Sequence, residues 1–125
     1  MKYARILNGE IKTEESVMSL MSITLNDNEP MVASAAIRAL GNIGIAKNDE
    51  VIKTIAWTQK RTAVLNPSSS LAYEVIDAYD KLSGEVEDYS TMLETLTSIA
   101  ANPRYVTTVR TKALDLLKKL RNSGK

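Results

Sequence analysis

The residues best equipped for chemistry in this 125-residue chain gather around its single tryptophan. If the stretch from about residue 48 to 65 is helical, Lys53, Lys60, Arg61 and Val64 stand a turn or two from Trp57 and share its side. An indole ringed by cations suits cation–π contacts and forms a natural hot spot for binding. Its chemistry is recognition of an acidic peptide, a carboxylate or a phosphate. The competing reading packs the ring against a neighbouring helix, with the lysine stems lying over it. Neither reading makes or breaks a covalent bond.

Other clusters carry less. Glu85-Val86-Glu87-Asp88 could suggest a divalent cation, but acids at a helix start complement the helix dipole and the EF-hand ligand spacing is missing. Asn26-Asp27-Asn28-Glu29 reads as a loop before a helix, and Ser68-Ser69-Ser70 as a polar helix start. The chain has no His, which removes the commonest general base and metal ligand. It has no Cys, which excludes disulfides and thiolate metal sites. No Gly-rich phosphate loop, zinc motif or nucleophile elbow occurs. The expectation is a protein with no catalytic residue, no metal and no cofactor.

The charge balance narrows the partners. The net charge is only +1, which argues against nucleic acid and membrane surfaces. Locally it is uneven. Residues 72–101 carry seven acids against one base, and residues 102–125 carry seven bases against one acid. This segregation reads either as a docking end for an acidic partner or as pairing between adjacent parts of the fold, with each exposed pair worth little. No apolar run approaches the roughly 18 residues of a membrane span, and Met1–Glu10 has no apolar core of signal-peptide length. These features predict a soluble, cytoplasmic protein.

The elements that must position Trp57 follow from a repeat. Ala35-Ala36-Ile37-Arg38-Ala39-Leu40 returns in degraded form at Val75–Leu82 and again at Ala113–Leu120. Pro30, Pro67 and Pro103 mark the same period. A period near 38 is the mark of stacked helical units. Asn66-Pro67 and Asn102-Pro103 read as a helix cap followed by Pro at the first helical position, and Glu29-Pro30 as a weaker version. Gly44 and Gly84 read as helix stops. Helical apolar stripes follow: Val32, Ala35, Ala36, Ala39, Leu40 and Ile43; then Leu71, Val75, Ala78, Tyr79 and Leu82; then Val106, Val109, Ala113, Leu116, Leu117 and Leu120. Between them lie helices over about Asn48–Leu65 and Val86–Ala101. The first helix runs from Thr13 to about Leu25, with Tyr3–Leu7 as a reduced partner. The division is roughly 1–28, 29–66, 67–102 and a cap at 103–125. The small residues Ala35, Ala36 and Ala39 let a facing helix come close.

Glu29-Pro30-Met31-Val32-Ala33-Ser34-Ala35-Ala36-Ile37-Arg38-Ala39-Leu40-Gly41-Asn42-Ile43-Gly44 resembles the first helix of a HEAT repeat, in the short variety also found in phycobilisome lyases. Glu50-Val51-Ile52-Lys53-Thr54-Ile55 resembles the start of the second helix. The likeness is close over Glu29–Ile55 and loose beyond it. Ala33 stands where the family has Arg, and Leu82-Ser83-Gly84 lacks the family's Leu-Gly-x-Ile-Gly ending. The resemblance implies an all-α fold: a short right-handed α-solenoid of about three hairpins and six helices, whose second helices line a concave face. It implies a scaffold or adaptor.

The leading expectation is therefore a non-catalytic module that binds an unidentified protein through Lys53, Trp57, Lys60, Arg61 and Val64. The alternatives are nucleic-acid binding by the same patch, as in HEAT-like DNA glycosylases, and a lyase-type subunit. A homodimer is a further expectation, because Met18, Met21 and Ile23 on the first helix lack an evident cover.

Overall fold

The computed structural model describes residues 13–27 and 29–123. These form six α-helices: α1 (Glu14–Asn26), α2 (Pro30–Ile43), α3 (Glu50–Leu65), α4 (Ser69–Leu82), α5 (Ser90–Ala101) and α6 (Thr107–Ser123). A 3₁₀ turn, Ser83–Glu85, follows α4. The described chain is all-helical, with no strand. The reduced helix expected at Tyr3–Leu7 lies outside the described residues.

Local chemistry sets most helix ends. Thr13 and Ser16 bond each other's backbone N–H through their hydroxyls, both at 3.1 Å, closing a capping box ahead of α1. Pro30 opens α2 at a position where its missing N–H costs nothing. Gly44 closes it with φ of 77°, a left-handed backbone that only glycine takes freely.

The later starts differ from the expectation. Asn66 ends α3, and the Ser68 hydroxyl accepts from Leu71 N at 3.2 Å, so α4 begins at Ser69. Asn102 ends α5, and its carboxamide oxygen takes Arg104 N at 3.0 Å, so α6 waits until Thr107. Val86–Tyr89 is connector, not helix. The reason is long-range: the Asp49 carboxylate accepts from the N–H groups of Glu87 and Asp88 at 3.0 and 3.2 Å. Gly84 lies inside the 3₁₀ turn rather than in a left-handed cap. In its place, Lys47, Asn48 and Asp49 take three successive left-handed conformations, with φ of 51°, 53° and 66°. This is a strained choice for Lys47, whereas Asn and Asp take the left-handed region more readily.

The helices stack in two layers. α4 packs between α2 and α6, and α3 packs between α1 and α5. The layers meet most closely through α1 on α2, α3 on α4 and α5 on α6. These hairpins are one helix out of step with the division at residues 29, 67 and 103, which groups α2 with α3 and α4 with α5. Hydrogen bonds between helices carry the repeat in their spacing. Arg38 to Glu74, Lys81 to Asn42 and Lys119 to Asp80 join residues 36 to 39 apart. So do Asp49 to Glu87 and Ser69 to Val106.

One apolar core runs from Val17 to Leu120. Ile37, absent from the expected stripe, is fully buried because α2 is covered by both α1 and α4. Val106, expected in a stripe, is 54% exposed because it precedes the helix. Met18 is exposed, whereas Met21 and Ile23 pack partly against the core. α2 and α4 approach closely at Gly41, where a β-carbon would lie 2.8 Å from Ala78 Cα.

Candidate functional site

Helix α3 turns Val51, Ile52, Ile55, Thr58 and Gln59 into the protein, because these recur at helical spacing and pack against the neighbouring helices. Lys53, Trp57 and Lys60 are thereby left facing outward. The indole of Trp57 is 52% exposed. Tyr73 on α4 is the other large aromatic held half in water, at 47%.

A groove of about 320 Å³ runs between α3 and α5. Lys53, Ala56, Trp57 and Lys60 form one wall, and Thr91, Glu94, Thr95 and Ser98 form the other. The second wall escaped the sequence reading, yet a signal for it existed. Adding 38 residues to each member of the first wall lands on each member of the second. Consecutive repeats thus present equivalent positions across one channel. The Thr95 hydroxyl bonds back to Thr91 O at 2.9 Å and is turned away from solvent.

Arg61 makes contacts within the protein that the sequence did not suggest. Its Nη1 donates to Leu25 O at 2.7 Å, which satisfies a free carbonyl at the end of α1. The guanidinium lies 4.6 Å from the centre of the Trp57 ring. Arg61 therefore braces the indole and does not line the groove. Val64 is 73% exposed and stands outside the groove, farther along α3 beside exposed Leu65. The structure brings together Lys53, Trp57 and Lys60, adds Glu94, and moves Arg61 to a supporting position. The groove's charge is two ammonium groups against one carboxylate.

One exposed ion pair joins the two oppositely charged stretches. Lys119 pairs with Asp80 at 2.7 Å across α6 and α4, and Arg110 Nε donates to Ala100 O at 3.1 Å. The cavity of about 340 Å³ along α2, α4 and α6 has its buried Glu74 neutralised by Arg38. Asp88 uses its carboxylate locally: bonds from the Ser90 amide and hydroxyl hold its pKa below the usual carboxylate value. Asp27 Oδ1 accepts from Glu29 N at 2.9 Å, a turn leading into α2. Among the described residues no group of three or more His, Cys, Asp or Glu could hold a metal ion. None of the described helices is long and apolar enough to cross a membrane. Buried Gln59 gives its Nε2 to the Tyr105 hydroxyl at 2.6 Å, which ties α3 to the turn before α6.

Compared with protein-family models, with curated proteins and with solved structures, the chain matches none.

Proposed function

We propose that this chain is a small HEAT-like repeat module that catalyses nothing and holds a protein partner in the groove between α3 and α5. The observation that carries the reading is Trp57, half-exposed on a braced helix and lining a channel between equivalent positions of two repeats. Aromatic residues held rigid before binding lose little entropy on contact and dominate interface energies. Repeat folds present such surfaces more often than reaction centres. Glu94 on the facing wall opposes a phosphate backbone, which favours protein over nucleic acid.

The test is comparative pull-down from the source cell with the wild-type chain and the Trp57→Ala variant, read by mass spectrometry. The substitution removes an exposed side chain and leaves the core intact, so circular dichroism should match the wild type. A partner retained equally by both proteins would remove Trp57 from the interface and overturn the reading.

A further inference from the structure

We infer that the α3–α5 groove accepts an extended acidic segment with one apolar side chain between two acids, an inference that rests on the partner-binding reading above. The argument begins with size. A volume of about 320 Å³ equals roughly ten waters at their share of liquid volume. That holds the groove-facing side chains of a short stretch of extended chain. A helix, about 10–12 Å across with its side chains, would rest on the groove with one face and could not enter it.

The order of charges along the groove then selects the segment. Lys53 and Lys60 are seven residues apart on one helix, a rise of about 10 Å. Residues i and i+3 of a polyproline-like extended chain are about 9 Å apart and point the same way. Two acids at that spacing meet the two ammonium groups. Between the lysines lie Ala56 and the Trp57 ring, a flat apolar floor for one side chain. Glu94 occupies the middle of the opposite wall, one repeat away from Ala56. A third acid at the centre would face it and be repelled, so an apolar residue is required there and a uniformly acidic run is disfavoured. Ser98, which lines the opposite wall at the 38-residue offset from Lys60, offers a hydroxyl to the segment's backbone.

Arg61 completes the arrangement from below. It fixes one face of the indole and leaves the groove side open. Charge complementarity of this kind sets register and selects among partners more than it adds affinity. The segment should therefore bind weakly and be sensitive to salt, because all three charged groups are at the surface.

The single tryptophan provides the assay. Two octapeptides with Ser-Gly flanks serve as probes, one centred on Glu-Leu-Ala-Glu and the other on Lys-Leu-Ala-Lys. Trp57 fluorescence is titrated with each, at about 50 and 300 mM salt. The expected result is a saturable change with the Glu peptide, at least tenfold weaker for the Lys peptide, and weakened by salt. A variant combining Lys53→Glu with Lys60→Glu should reverse the preference. If both peptides bind the wild type equally, the partner reading stands and the acidic specificity falls. If neither perturbs Trp57 and both lysine substitutions leave pull-down partners unchanged, the groove itself is refuted as the site.

Discussion

Replacing Gly41 with alanine probes the seam on which the two-layer stack depends. A β-carbon at residue 41 would lie 2.8 Å from Ala78 Cα and 3.0 Å from Ala78 Cβ. Carbon atoms in contact sit about 3.5–4.0 Å apart, so α2 and α4 must separate by about 0.5–1 Å at that point. The nearest atom is main chain, which cannot rotate aside like the tip of a long side chain. Overpacking of this kind costs about 1–3 kcal/mol. Alanine recovers up to about 1 kcal/mol through its better helix propensity. The net expectation is a loss of about 1–2 kcal/mol, a fall in Tm of about 3–8 °C for a domain near this size. Urea unfolding followed by far-ultraviolet circular dichroism measures it. Gly84→Ala is the control, since a β-carbon there meets nothing within 4 Å. A Gly41→Ala protein as stable as the wild type, with a neutral control, would refute the close approach of α2 and α4.

Three further outcomes follow from the same structure. Burial holds the hydroxyls of Tyr79 and, to the same sense, Tyr105 above the ordinary tyrosine pKa of 10.0. The folded chain then keeps protons that the unfolded chain releases, so stability is level below pH 10 and falls above it. Tyr79→Phe should flatten that alkaline slope in urea midpoints between pH 9 and 11, and should cost about 1 kcal/mol at pH 7 for the lost bond to Ile52 O. An unchanged slope would remove Tyr79 as its source. Arg61→Ala should cost about 1.5 kcal/mol through the abandoned Leu25 carbonyl and lower the fluorescence anisotropy of Trp57; unaltered anisotropy would mean that the stack does not brace the ring. Lys47→Gly should raise stability by about 0.5 kcal/mol by relieving a left-handed backbone, since its exposed pair with Glu50 is worth little; a destabilised variant would contradict that conformation.

The legibility of the molecule in its sequence divides along physical lines. Helix α2 could be read almost to the residue, because Pro30 and Gly44 act through their own backbone constraints. The starts of α4, α5 and α6 could not. Each depends on which of several competing polar side chains reaches the free amides, and in one case that side chain, Asp49, comes from the preceding repeat. The candidate site was half-visible for the same reason. Lys53, Trp57 and Lys60 share one helix and follow from its period, whereas Thr91, Glu94, Thr95 and Ser98 join them only when two repeats stack.

By itself the sequence determined the helical class, the six segments and the apolar stripes that bury most of the core, because these rest on a period of 3.6 and on residues acting within a few positions of themselves. Tertiary structure decided what those stripes face. It brought Gly41 against Ala78 with no room for a β-carbon, left Trp57 half in water, and turned Arg61 toward Leu25 O and the Trp57 ring. Such outcomes depend on distances between residues about 36 to 38 positions apart. Stacking sets those distances, and no local propensity encodes them.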